Sequence, residues 1–598
     1  RNILFAFRRF KLSAVLNMLG LSLAFAVFMI IMMQVYYDRT YNSTIPDADN
    51  IYLLSHNQDG QSNVFINAPM FDKVRTMSAH VKEASFVMPF WQEGSAKING
   101  NYVPLPTMRA DTAFLKMMGC RMIAGSIKSI AEKNTVIIPE SLALKYFGGI
   151  DIVGKRLSDD IDVQIGGIYK DFPDNCSAKN AVYIDSDFEY WLEQPSETSF
   201  AGIYRIDNPD AVAKLTASLD SLAEAEAREW KTDVKETYTF IPLSEVHYAK
   251  NLGNTILSEQ VNQDTERILM SVAIVVLVIA FINFTNFSVA LVPVRIKDVN
   301  TRKVFGATTK GLRGMLAGES VAIAVCSFLL SLLILWILST TSVNNLSDAG
   351  ISIAEYFPVV AATALSAIVL GVAAGLYPAI RLTSYSPAVA LKGNFGLSPK
   401  GQFFRSAMVC IQLFASSALI ITAALISKQR DFLLHTDYGF DKDELIVFST
   451  GMGVKDNLEA VTNEIKQLPE VENVAYSRFA LGTSGGMMTW GRTINGKSIS
   501  FASIPVTSGF LKTMGIKLVE GRDFLPNDTN AIIFNRAAQK ELPREIQVGA
   551  DAFGARIIGI CEDINHLALW TEASQPMALN CIKGWDNNSV GYVRVKKG

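Results

Sequence analysis

The chain has little of what most protein chemistry needs. Its five histidines, His56, His80, His247, His435 and His566, form no H-x-H or H-E-x-x-H pattern and have no carboxylate at metal-ligand spacing, so no zinc motif is present. Six cysteines are scattered without a C-x-x-C: Cys326 and Cys410 fall in apolar runs, and Cys120, Cys176, Cys561 and Cys581 lie outside them. A disulfide framework is not indicated, while a single bridge stays open. Ser, His and Asp occur in no nucleophile context. A G-x-x-x-x-G-K-[ST] phosphate loop is missing too, since Gly154-Lys155 lacks its upstream glycine partner. These absences leave no enzyme activity to assign and no cofactor bound by this chain. An excess of either charge is also missing: 55 basic residues face 57 acidic ones, for a net charge of −2, which argues against a nucleic-acid partner.

Long hydrophobic runs are abundant. Residues 12–36, 268–294, 321–338, 356–380 and 406–427 are each apolar for about 18 to 25 residues, enough to cross a bilayer as a helix. The first has a basic start, Arg1, Arg8, Arg9 and Lys11, and Ala24-Phe25-Ala26 resembles a signal cleavage site. Apolar sequence continues to Val35, however, too far for a signal peptide, so it reads as an uncleaved anchor. Residues 1–11, with Ile3, Leu4, Phe7 and Phe10 on one helical face, read either as a helix on the inner membrane surface or as an extension of the span.

Basic residues set the orientation. Arg295, Lys297, Arg302, Lys303, Lys310 and Arg313 follow the second run, and Arg381, Lys392, Lys400 and Arg405 separate the fourth from the fifth. By the positive-inside rule these segments are cytoplasmic. The expected plan is a first span at 12–36, an external domain at 37–265, a span at 266–294, a cytoplasmic coupling loop at 295–316, a span at 317–338, a short external loop at 339–355, a span at 356–380, a cytoplasmic linker at 381–405, a span at 406–427 and a second external domain at 428–598.

The two external segments repeat one another. Thr112-Ala113-Phe114-Leu115-Lys116-Met117-Met118-Gly119, continuing to Gly125, returns as Ser508-Gly509-Phe510-Leu511-Lys512-Thr513-Met514-Gly515, continuing to Gly521. Val136-Ile137-Ile138 returns as Ala531-Ile532-Ile533, and Gly167-Ile168-Tyr169-Lys170-Asp171 as Gly559-Ile560-Cys561-Glu562-Asp563. Ordered matches of this kind mark a duplicated domain of mixed α and β structure. Asp171 and Asp563 read as turn-formers. The duplicated unit is a span, an external domain and three spans; on that pattern three further spans are expected beyond 598.

Several ordered motifs resemble the MacB/FtsX family of ABC-transporter permeases, in particular the two-unit permeases common in Gram-negative bacteria of the Bacteroides type. They are Asn17-Met18-Leu19-Gly20-Leu21, Tyr37-Asp38-Arg39, Pro46 through Tyr52, Ala110-Asp111, Gly154-Lys155, Asp171-Phe172-Pro173, Arg302-Lys303-Val304-Phe305-Gly306-Ala307, Gly318-Glu319-Ser320, Tyr377-Pro378-Ala379 and Pro387-Ala388 with Leu391-Lys392. One departure is Lys297-Asp298-Val299-Asn300-Thr301, where the family usually carries Glu and Ile-Gly-Val. The resemblance implies an α-helical transmembrane bundle with α+β periplasmic domains, the type VII ABC transporter architecture, in the bacterial inner membrane. It implies a cytoplasmic ABC ATPase dimer as partner, holding the ATP and Mg, and mechanotransmission in place of a solute path through the bilayer. Export or efflux of an antimicrobial, a peptide or a lipid-linked molecule would add a periplasmic adaptor and an outer-membrane channel. The alternative is an FtsX-like regulatory subunit that activates a periplasmic cell-wall hydrolase.

Site residues follow from that resemblance and from position. Arg302, Lys303, Val304, Phe305, Gly306 and Ala307 form the expected ATPase-coupling segment, with Phe305 as apolar anchor and Arg302 and Lys303 paired with ATPase acids. Glu319 reads either as a helix-start acid or as a contact to that segment or to a partner span. Asn283 and Asn286 share a helix face and can hydrogen-bond across the bundle. Gly371 and Gly375 form a G-x-x-x-G suited to close packing, either inside the chain or in a dimer, and Pro378 is expected to end or kink the fourth span.

Overall fold

The computed structural model describes residues 11–598 apart from 59–60, 90–93, 196–197, 231–235, 251, 254–259, 291, 385–398, 451–453, 455–456, 482–487, 495–496, 566–574, 582–588 and 598. The expected surface helix at 1–11, all but Lys11, and most of the linker at 381–405 fall outside these residues.

Among the described residues six helices build the membrane part: α1 (Lys11–Arg39), α2 (Gln263–Ala290), α3 (Val292–Val304), α4 (Thr309–Ser339), α5 (Phe357–Ser384) and α6 (Pro399–His435). Five of them, all but α3, are long and apolar enough to cross a membrane. The helices overrun the apolar runs. α4 starts at Thr309 because the Thr308 hydroxyl accepts from the Gly311 N–H, so charged Lys310 and Arg313 sit in its first turns. α5 runs through Pro378 to Ser384 and does not end there.

The bundle core is formed by α1, α2, α4 and α5 around Phe25, Met29, Phe284, Ala324, Phe328 and Ala367. Gly371 and Gly375 face α4: a β-carbon on Gly371 would stand 2.7 Å from the Val321 Cα, and one on Gly375 2.7 Å from the Ser320 Oγ. The G-x-x-x-G therefore packs two spans of the same chain. Asn286 is half-buried, while Asn283 is exposed on α2; neither makes a hydrogen bond among the described residues. None of the residues in the α6 window that is apolar enough to span is buried.

The first external domain contains β1 (Ile51–Gln58), β2 (Val81–Pro89), β3 (Thr107–Ala110), β4 (Met122–Gly125), β5 (Thr135–Pro139), β6 (Gln164–Tyr169), β7 (Val182–Asp185) and β8 (Phe200–Ile206). The second contains β9 (Leu445–Ser449), β10 (Val471–Ser477), β11 (Lys497–Pro505), β12 (Leu518–Gly521), β13 (Ala531–Asn535), β14 (Ala555–Cys561), β15 (Met577–Cys581) and β16 (Val590–Val595). The spatial order β1-β8-β2-β3-β7-β5-β6-β4 in the first becomes β9-β16-β10 and β11-β15-β13-β14-β12 in the second. Strand directions also agree: β3 with β7 and β5 with β6 are parallel, as are β11 with β15 and β13 with β14. Where β2 and β3 pair in the first copy, a single bridge from Ser477 to Val506 links the two sheets of the second. These eight strands of each domain share one order, and the first domain adds others, such as Glu236–Pro242 paired along β1.

The repeated glycines have one physical job. Gly125 and Gly521 close equivalent antiparallel pairs at positive φ, +73° and +84°, and a β-carbon there would lie 2.3 Å from the Gly166 carbonyl oxygen or 2.2 Å from that of Ile558. Gly521→Ala should therefore cost about 3 kcal/mol. Hydrogen exchange would show faster exchange in β14, with β6 of the other copy unchanged as internal control. Asp171 and Asp563 do more than form turns: each accepts a backbone N–H at the start of the helix after β5 or β13, Ser141 at 3.1 Å and Ala537 at 2.8 Å. A helix start favours such an anionic acceptor.

Candidate functional site

The segment singled out by sequence is an elbow. Val292, Ile296 and Val299 lie on one face of α3 and pack against Leu312 and Leu316 of α4 and Ala379 and Leu382 of α5. α3 ends in a Schellman motif, with Gly306 N–H to Lys303 O and Ala307 N–H to Arg302 O, both at 3.0 Å. Gly306 takes φ +92°, which a side chain would strain. Two hydrogen bonds thus fix the tip, and residues 304–310 are all exposed. Phe305 is 86% exposed and Val304 65%.

Four basic residues of the elbow find partners within the chain. Arg295 donates to Glu319 at 2.6 Å, with both side chains largely buried. Arg302 pairs with Asp298 one turn back at 3.3 Å and also contacts the Met315 sulfur. Lys303 donates to the Thr383 carbonyl, and Arg313 donates to the Thr383 hydroxyl at 2.9 Å. Within the chain, helix geometry places Asp298 within reach of Arg302 and the end of α5 within reach of Lys303. Glu319 lies well inside α4 and pairs with Arg295 near the start of α3, outside residues 302–307, so it is no helix-start acid. Asn300, where the family usually has glycine, is buried, and its amide nitrogen donates to the Ile296 carbonyl within α3 at 2.9 Å.

A second cluster, at the opposite end of α1, was not picked out as a site by sequence. Buried Asp38 meets buried His247 at 3.3 Å, and His247 stacks on Tyr41 at 4.0 Å. Arg39 pairs with Glu266 at the start of α2 at 2.7 Å, and the Tyr248 hydroxyl donates to the same carboxylate. Asn42, at φ +60°, donates to the Leu243 carbonyl at 2.7 Å and to the Ser177 hydroxyl at 2.8 Å, and accepts from the Ser177 N–H at 2.7 Å. Tyr37 donates to the Asp174 carbonyl, and Gln34 accepts from the Ala349 N–H in the loop between α4 and α5. This collar ties the first span to the external domain, to α2 and to the α4–α5 loop. The motif Tyr37-Asp38-Arg39 was its only sequence signal.

Other titratable groups serve the fold. His56 bonds Glu236 at 2.8 Å and holds its carboxyl below the usual range, and His80 pairs with Asp207 at 2.8 Å. Burial pushes the Cys120 and Cys561 thiols up to about 12, away from nucleophilic use. Among the described residues no group of three His, Cys, Asp or Glu is placed to hold a metal.

The MacB-like periplasmic core domain matches residues 14–227, and the FtsX-like permease C-terminal domain matches residues 270–387. The chain belongs to the MacB/FtsX family of permeases. Neither match reaches the second external domain, which strand order ties to the first. No curated protein matches the chain. Among solved structures, a domain of a permease protein from Porphyromonas gingivalis is 23% identical, with 33% of this chain and 92% of that one covered at TM-score 0.27. The periplasmic region of MacB from Actinobacillus actinomycetemcomitans is 14% identical, covering 27% and 79% at TM-score 0.20. The extracellular domain of the noncanonic ABC-type transporter YknZ from Gram-positive bacteria is 13% identical, covering 32% and 100% at TM-score 0.24.

As a MacB/FtsX permease the chain is a multi-pass protein of the inner membrane, with periplasmic domains, of a generally non-catalytic family that works with an ATPase. On the charge pattern the elbow is expected to face the cytoplasm and the collar the periplasm. A cysteine placed at position 305 should react with an impermeant maleimide only after the membrane is opened; labelling from outside in intact spheroplasts would invert this topology.

Proposed function

We propose that the chain is the transmembrane subunit of an ABC exporter working by mechanotransmission. ATP hydrolysis on a separate cytoplasmic ATPase dimer moves the elbow, the spans act as levers, and the collar hands the motion to the periplasmic domains. The cargo is a periplasmic antimicrobial, peptide or lipid-linked molecule, passed on to an adaptor and an outer-membrane channel. One observation carries this reading: a large apolar side chain, Phe305, stands almost fully exposed on a tip that is braced against two spans. An exposed aromatic on a rigid scaffold is a typical anchor for a partner's pocket. The ion pair from Arg295 to Glu319 and the Lys303 and Arg313 bonds to Thr383 supply the bracing. Placing a photo-crosslinking amino acid at Val304 in cells tests it. A crosslink to an ABC ATPase is expected, and crosslinks to lipid alone would remove the coupling role from this tip.

A further inference from the structure

Beside the collar lies a cavity of about 380 Å³, lined by Tyr37, Tyr41, His247, Asp174, Lys179 and Asp348, among others. Its depth in the membrane follows from α1. Tyr37 and Asp38 stand about 3 to 5 Å beyond Val35, the last residue of the apolar run, at 1.5 Å per residue. The headgroup layer is roughly 5 to 8 Å thick on each side of the hydrocarbon core, so the cavity opens within it.

The lining is chemically divided. Tyr37, Tyr41 and His247 are buried and form an aromatic floor. Asp174, Lys179 and Asp348 are exposed at the rim, and none has an ion-pair partner among the described residues. Two carboxylates beside aromatic faces suit a cation. The single ammonium of Lys179 suits a phosphate. The set matches a zwitterion that carries both groups.

We propose that this cavity binds the headgroup of a bilayer phospholipid bearing a primary amine and a phosphate, with the ammonium toward Asp174 and Asp348 and the phosphate toward Lys179. A primary ammonium donates hydrogen bonds to both carboxylates, which a choline headgroup cannot do. An anionic headgroup without an amine would meet the two carboxylates unfavourably. The proposal stands apart from the transport mechanism and requires no ATPase.

The test uses the whole chain, extracted from vesicles of mixed phosphatidylethanolamine, phosphatidylcholine and phosphatidylglycerol, with retained lipid read by native mass spectrometry. Wild type should hold phosphatidylethanolamine about tenfold over either competitor, the ratio one charged hydrogen bond supplies. Asp348→Asn, Asp174→Asn and Lys179→Gln should each abolish that preference. Since all three side chains are exposed, wild-type melting temperatures would show that the variants remain folded. Equal retention of the three lipids by wild type, or an undiminished preference in folded variants, overturns the proposal. Displacement of the lipid by water-soluble glycerophosphoethanolamine at equal concentration would also overturn it, by reassigning the site to a soluble ligand.

Discussion

Phe305→Asp is expected to reduce permease-stimulated ATP hydrolysis at least about tenfold while expression and thermal stability stay at wild-type levels. The two halves of that expectation have separate causes. At 86% exposure Phe305 contributes almost nothing to the packing of the elbow, whose apolar contacts come from Val292, Ile296, Val299, Leu312 and Leu316. A carboxylate seated in a partner's apolar pocket, however, is desolvated without a counter-charge, which costs several kcal/mol. Phe305→Leu should keep much of the stimulation, because it retains apolar volume. Stimulation that survives the Asp variant in reconstituted membranes would place ATPase contact elsewhere on the chain.

Asn42→Ala should have the largest structural effect of any single side-chain truncation in the collar. The amide makes three hydrogen bonds to Ser177 and Leu243, both fully buried, and an alanine would leave the Ser177 N–H and the Leu243 carbonyl without partners. Orphaned buried groups cost about 1 to 3 kcal/mol each. The residue also sits at φ +60°, where asparagine is tolerated and alanine is strained. A loss of about 4 kcal/mol should appear as roughly thousandfold faster hydrogen exchange at residues 172–178 and 243–248. The bundle around Phe25 and Phe328 should exchange as in wild type. Unchanged protection at the collar would show that α1 is not fastened there.

What could be read from sequence divides along range. The spans were legible because hydropathy over one helix length is a local property, and the repeat was legible because Gly125 and Gly521 answer the same steric demand in both copies. Phe305 and Gly306 were singled out through the family resemblance and their position between two spans. The collar was hidden: its contacts join residues 137, 209 and 227 positions apart, so no window on the sequence holds both partners. The intramolecular partners of Arg302 and Lys303 were not legible, because charge alone does not tell a headgroup, a partner acid and a carbonyl of the same chain apart. Thr383, which receives two of the elbow's basic residues, carried no sequence signal.

The central claim is that ATP turnover on the cytoplasmic side moves the periplasmic domains against each other. Spin labels at Tyr190 in the first domain and Leu525 in the second, 52% and 54% exposed, report that movement directly in the permease–ATPase complex by pulsed electron resonance. The account predicts that the distance distribution shifts between the nucleotide-free and the vanadate-trapped complex, and that Phe305→Asp abolishes the shift. An identical distribution in both states, with ATP hydrolysis intact, would contradict it.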